Sequence, residues 1–356
     1  MNNSSRLLSD LGEFDLLYKV LLPTIDSSEY VSPLGDDCAY VSLPSGQNDL
    51  VLSTDVAPQP LVWHLGHTSY RTWGWYSVVV AVSDLASASA SPLVFTTSID
   101  APKDMLVDEL KEFFEGIAEA SRVHNISNAG GNIREASKFA CHTTVIGLSA
   151  KEKYLRRVGA VAGDYFFSVG NCGKFCSVFL KAKQEGFCNL SSDEQNVLCR
   201  PYARINEMKL LFENNLFNAA SDNSDGVLGS LWNIADASKC SIVLDMSDKL
   251  LPDYVKKAAL DYDYDPWNLF YFWGDWQVIV SVPTAKLDSF TNLTKNNNIP
   301  IYFLGRADKG PPELIGHSGE RTGNVKLLRN ENFQKSSFNQ NVLEHVESML
   351  RTPIWC

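Results

Sequence analysis

No stretch of the chain approaches the roughly 20 consecutive apolar residues that a membrane-spanning helix requires. The opening MNNSSRLLSDLGEFD also lacks a cationic run followed by an apolar core of leader length. Both absences point to a cytoplasmic protein with no membrane partner. Positive charge is scarce as well: 31 Lys and Arg stand against 42 Asp and Glu, a formal net charge of −11. The average surface therefore repels nucleic acid and anionic membranes, and the basic run at residues 151–157 is too short to change that. Eight cysteines are present without a C-x-x-C pair. That excludes zinc-ribbon spacing, and a chain of this size needs no disulfide framework. His64 and His67 have no third ligand near them in sequence, and no histidine stands in a nucleophile–base arrangement with Ser224. A transition-metal site and serine hydrolysis both lack support.

What is present fits a globular protein of about two domains: 356 residues, 45% hydrophobic and 21% charged. A charged and then Gly-rich stretch, KEKYLRRVGAVAG at residues 151–163, places a boundary near its start. The expected division is 1–150, 151–320, and a final segment 321–356 holding a helix and ending in Cys356. Residues 14–22 read as a short amphipathic helix stopped by Pro23, 50–55 as a strand, 69–90 as a helix and 94–99 as a strand. The helix at 107–123 carries Leu110, Phe113, Phe114, Ile117 and Ala120 on one face. Strands at 142–148, 165–169, 241–244, 276–282 and 301–304 alternate with helices near 203–217 and after 221–231, and 306–326 reads as a surface loop. Strands and helices mix in both halves, which predicts an α/β (α+β) fold with two lobes.

Acids recur in one local pattern. GDD (Asp36, Asp37), STD (Asp55), SDL (Asp84) and SDNSDG (Asp222, Asp225) each set a carboxylate beside Gly, Ser or small apolar residues. In AVSDLASASASP at residues 81–92, Asp84 is the single charge, and its small neighbours predict a helix backbone that packs closely. A lone buried carboxylate needs a partner. Hard divalent cations take one or two carboxylates each, with water and substrate phosphates filling the other positions. Such a set suits Mg²⁺ ions holding a nucleoside triphosphate. The plainer reading of each motif alone is turn and cap chemistry.

Their order carries more than any single motif. GEFDLL, GDDCAYV, STD, AVSDLASASASP, AGGN, RRVGAVAGD, SDNSDG, GDWQVIVSVP and IPIYFLGRAD together resemble the thiamine-monophosphate kinases over residues 12–308. These enzymes are relatives of aminoimidazole ribonucleotide synthetase, selenophosphate synthetase and the carbamoyl dehydratase of hydrogenase maturation. The resemblance implies an N-terminal domain that pairs with its copy in a homodimer to form a shared β-barrel, followed by a C-terminal α/β domain. ATP and Mg²⁺ would lie between the domains, with a small-molecule substrate receiving the phosphoryl group. It further implies metal ligation by Asp36 or Asp37, Asp55, Asp84 and Asp225, with Asp225 acting in catalysis. Gly130, Gly131, Asn132, Arg157 and Asp222 fall at positions expected to bind the nucleotide.

The chain departs from the pattern where Asn132 replaces an acid, where NCGK with Lys174 stands in the nucleotide loop, at Ser230, and at Gly274 in FWGDWQ. That last segment is rich in rings: Tyr262, Tyr264, Trp267, Phe270, Tyr271, Phe272, Trp273 and Trp276. They read either as a ring- or cation-binding surface or as core. The ending RTPIWC resembles that of the carbamoyl dehydratase relative, whose terminal cysteine carries a carboxamide that ATP activates. Three readings follow: phosphoryl transfer with an altered acceptor, ATP-dependent activation of a group carried on Cys356, and a non-catalytic dimeric nucleotide-binding homologue.

Overall fold

Strict alternation along residues 140–150 decides the first layer. Cys141, Thr143, Val145, Gly147 and Ser149 are buried while their neighbours are half-exposed, the period-2 signature of a sheet covered on one face. The structure is a computed structural model in which residues 7–26, 28–44, 46–333 and 341–355 are described. Strands β1 (Ala39–Ser42), β2 (Asn48–Val56), β3 (Ser91–Ala101), β4 (Ser127–Glu135) and β5 (Ala140–Ala150) form a sheet of order β1-β2-β5-β3-β4. All its pairings are antiparallel except β3–β4. A short helix α1 (Glu13–Leu16), prolonged through Leu21, precedes it and buries no side chain.

Helices α2 (Tyr70–Ser87) and α3 (Val107–Val123) pack on the covered face. α3 is amphipathic, whereas α2 is buried on every side from Thr72 to Ser87. A helix apolar all round belongs between layers, and α2 lies between the first sheet and the C-terminal domain. Close approach of α2 to α3 comes from two glycines rather than from the alanines near Asp84. A Cβ on Gly74 would overlap the Phe113 carbonyl, and one on Gly116 would overlap that of Arg71. Near Asp84 the close neighbour is the sheet: a Cβ on Gly147 would meet Leu85 Cδ2 at 3.1 Å and Ala90 Cβ at 3.2 Å.

Strands β6 (Tyr165–Val169), β7 (Ala219–Ser221), β8 (Ser241–Asp245), β9 (Val278–Val282), β10 (Ile301–Asp308), β11 (Glu313–Ser318) and β12 (Arg321–Asn324) build the second sheet, order β12-β11-β8-β10-β6-β9-β7. Around it run α4 (Lys174–Glu185), α5 (Ser192–Cys199), α6 (Ile205–Glu213), α7 (Val227–Ser238), α8 (Asp253–Tyr262), α9 (Pro266–Phe270), α10 (Leu287–Asn296) and α11 (Val342–Arg351). The chain therefore has a mixed α/β, two-domain architecture. Residues 306–326, expected as a loop, instead hold the end of β10 and the hairpin β11–β12. Its two-residue turn begins at Gly319, whose φ of +61° suits a tight hairpin connection. Glycine and charge mark that stretch as a loop in composition, yet ladder pairing to β8 overrides them.

The ring-rich segment is core. Tyr264, Trp267, Phe270, Tyr271, Phe272, Trp273 and Trp276 are all buried, with Phe272 and Trp273 stacked at 3.7 Å between centroids. α11 covers them: Asn268 Nδ2 donates to the carbonyls of Met349 (2.9 Å) and Thr352 (2.7 Å). Trp355 pairs with Val325, and Lys326 N donates to the Ile354 carbonyl at 2.7 Å. Cys356 lies outside the described residues. Among the described residues, no helix is long and apolar enough to cross a membrane.

Candidate active site: a buried acidic cavity

Four chain segments deliver carboxylates to one place. Asp36 and Asp37 sit in the turn before β1, Asp55 near the end of β2, and Asp84 in the last turn of α2. Asp222 and Asp225 lie in the connection from β7 to α7. All six line a single cavity of about 520 Å³, together with Arg157, Cys38, Ser53 and the α1 side chains Glu13, Phe14 and Tyr18. The strand period explains Asp55. Asp55 and Ser53 share the face of β2 that carries buried Val51, which is the face α2 covers. Ser53 Oγ accordingly donates to Asp84 Oδ2.

The acids fall into two groups by partner. Asp36 accepts from Arg156 Nε (2.5 Å) and from the backbone N of Arg157 (2.9 Å). Asp37 accepts from Arg157 Nε at 2.7 Å and from Asp222 N at 3.0 Å. Both are neutralised in place by arginines that follow the first domain. Arg157 also donates to the Gly35 carbonyl at 3.2 Å, so its guanidinium organises the GDD turn. Arg156, to which sequence reasoning assigned no role, is recognisable only once Asp36 is located.

Among the described residues Asp55, Asp84, Asp222 and Asp225 form no salt bridge, although Arg157 lies near Asp222 and both Arg157 and Arg329 lie near Asp225. Burial pushes Asp55 up to about 6, with Asp37 and Glu13 adding to it. It pushes Asp225 up to about 7, Glu13 reinforcing and Arg157 opposing. Burial, followed by neighbouring acids, raises Asp84 and Asp222 well above the usual carboxylate range. Four carboxyl groups crowded together, two buried and two half-buried, are each costly as anions. Hard oxygen donors in that state fit a divalent cation. Among the described residues no three His, Cys, Asp or Glu side chains converge as a ready-made ligand set. An ion here would therefore take one or two carboxylates and complete its shell from water and phosphate, the habit of Mg²⁺.

Gly130, Gly131 and Asn132 do not join this cavity within one chain. They lie on β4, exposed along its whole length, at the sheet edge away from β2. Gly131 is required there because a Cβ would overlap the Thr97 backbone. Two departures also find physical partners. Ser230 is buried and its Oγ donates to the Asp222 carbonyl at 2.5 Å, closing the loop that an acid would charge. Gly274, with φ of +104°, would drive a Cβ into the Phe175 ring, and the adjacent Asp275 accepts from Phe175 N at 2.9 Å, capping α4. Sequence reasoning also left Glu13, Phe14, Tyr18 and Ser53 without roles; GEFDLL was in view, but nothing local shows that it lies over distant acids.

A two-domain α/β fold with acids gathered between its halves defines the class. Residues 35–149 match the AIR synthase related protein N-terminal domain and 161–316 the C-terminal domain, and the chain belongs to that family. Its relatives include the thiamine-monophosphate kinase of Aquifex aeolicus, 28% identical over 85% of this chain and 94% of that protein. That of Bacillus subtilis is 27% identical over 73% and 80%. Among solved structures, AaThiL complexed with AMPPCP and TMP superposes with a TM-score of 0.74 at 23% identity, covering 93% of this chain and all of that one. E. coli HypE, a hydrogenase maturation protein, superposes at 0.64 and 16% identity over 88% and 98%. At these identities the two structures share the fold.

Proposed function

We propose that the chain is an ATP- and Mg²⁺-dependent phosphotransferase acting on a small-molecule acceptor. The observation that carries this reading is the set of four carboxylates, buried or half-buried and in no salt bridge among the described residues, that line one cavity large enough for a ligand. Relatives that are thiamine-monophosphate kinases support it. Mg²⁺, when bound, would supply charge neutralisation for phosphate oxygens.

The protein's part is positioning, as phosphoryl transfer demands. Asp55, Asp84, Asp222 and Asp225 hold cation and nucleotide, while Arg156 and Arg157 keep Asp36 and Asp37 in register. Phe14 and Tyr18 line the cavity beside these acids. The rings of residues 264–276 are spent on core packing, so in this reading the acceptor is held by other residues.

The working unit is a homodimer. The helices cover one face of the first sheet, and the other carries Leu52, Val56, Ile146 and Leu148, none of them buried. Asn132 pairs with Ser98 on that open side. A second copy covering this face is the means by which Gly130–Asn132 reach an acidic cavity.

The test is calorimetry of the full chain with Mg-ATP, followed by ADP release with thiamine monophosphate and other hydroxyl or phosphate acceptors. Absence of nucleotide binding at millimolar concentration sinks the proposal.

A further inference from the structure

Arg329 belongs to the segment after β12, past the end of the family match at residue 316. Its guanidinium carbon lies 3.6 Å from the centroid of the Phe14 ring. A Cβ on Gly229, in the first turn of α7, would meet Arg329 Cβ at 3.1 Å, so the glycine leaves room for this side chain. The next residue anchors the segment, Asn330 N donating to the Asp225 carbonyl at 2.9 Å. Phe14 and Asp225 are both walls of the acidic cavity, and Arg329 stands directly behind them without itself being part of the lining.

Its charge is poorly served there. Nη1 is buried with no hydrogen-bond partner among the described residues. An unmade hydrogen bond to a buried charged group is costly, and the ring face of Phe14 offsets only part of that. Burial lowers its pKa from the usual arginine value while Glu331 and Asp225 oppose that, and a guanidinium remains charged at neutral pH. What completes such a site is a planar or tetrahedral oxyanion that accepts from the guanidinium fork.

We propose that Arg329 contacts a phosphoryl group at the Asp225 end of the cavity. The inference rests on the phosphotransferase reading and adds to it a residue from outside the matched domains. The phosphoryl group belongs either to the nucleotide's terminal phosphate or to a phosphorylated acceptor, and binding data separate the two.

The experiment titrates Mg-AMPPCP, Mg-ADP and thiamine monophosphate into the full chain as wild type, Arg329→Gln and Arg329→Lys, with thermal melting as a check on folding. For a terminal-phosphate contact, Arg329→Gln weakens AMPPCP at least tenfold and leaves ADP unchanged. For an acceptor contact, it weakens thiamine monophosphate by that factor and spares both nucleotides. Arg329→Lys recovers part of the loss in either case. Equal affinity of wild type and Arg329→Gln for all three ligands overturns the inference, as does a uniform loss across them, which marks a merely covering role. If Arg329→Gln does not fold, Arg329→Lys decides: a smaller loss confined to one ligand supports the contact and wild-type affinities refute it. A wild type that binds none of the three is a separate outcome that removes the phosphotransferase reading, and this inference with it.

Discussion

Arg157 and Asp37 form an ion pair that is almost wholly buried, Nη2 to Oδ1 at 2.6 Å with side-chain exposures of 14% and 4%. It ties the first residues after the N-terminal domain to the turn that opens β1. Removing one partner leaves the other charge buried and alone, which costs about 3–5 kcal/mol. Arg157→Ala is therefore expected to lower the melting temperature and also to weaken nucleotide binding, because Asp37 holds the Asp222 backbone at 3.0 Å. Thermal melts and calorimetry on the variant check both; an unchanged melting temperature contradicts the pair's structural role.

Asp84 tests the metal assignment directly. Asp84→Asn keeps the shape and the contact with Ser53 but removes a charge that a divalent ion would use. Mg-ATP affinity is expected to fall about tenfold or more, equivalent to about 1.4 kcal/mol. The same titration without Mg²⁺ should show little difference between variant and wild type.

Asp225 predicts a pH signature. Its folded pKa of about 7 exceeds the ordinary 3.8, so the folded state binds the extra proton. The resulting stability is complete below about pH 4 and is lost as pH rises through 7. Asn imitates the protonated carboxyl. Without Mg²⁺, Asp225→Asn should melt with wild type near pH 4 and above it at pH 8, a comparison in which groups common to both chains, such as buried His124, cancel. Added Mg²⁺ should raise the wild-type melting temperature at pH 8 and leave the variant less affected. Identical pH profiles for the two proteins would contradict the burial of this group.

The dimer reading predicts complementation between chains. Asp84 and Asn132 lie on different parts of one protomer, so Asp84→Asn and Asn132→Ala inactivate sites contributed by different copies. Each variant alone is expected to turn over slowly. Mixed and re-equilibrated, they should regain about a quarter of wild-type activity through hybrid dimers that carry one intact site. Light scattering should give twice the chain mass of 39.5 kDa; a monomer that turns over at full rate rules this out.

Cys356 separates the two enzyme readings. The segment before it is docked, with Ile354 buried and Trp355 paired to Val325. Phosphoryl transfer to a free acceptor needs no thiol, so Cys356→Ala should leave both nucleotide affinity and ADP release unchanged. Loss of turnover with intact binding would instead favour a group carried on that thiol.

Much of the architecture was legible in the sequence because it is written in local period. The α3 helix follows from its apolar face. The six acids were legible as a set because each sits in a short motif of its own. Their meeting was not legible, since it depends on which face of β2 the covering helix takes and on the path of the chain between β7 and α7. Nor was the division among them, in which Arg156 and Arg157 claim Asp36 and Asp37 and leave the other four carboxyls outside any salt bridge among the described residues. Composition misread residues 306–326 because strand pairing to β8 is a long-range gain that glycine content does not report, and it could not tell whether the rings of residues 264–276 faced a ligand or the core. The chain by itself determined element types, family and the candidate acids; the tertiary structure decided which acids are unpaired, which rings are spent on packing, and that Arg329 stands beside them, because burial and charge pairing are properties of neighbours far apart in sequence.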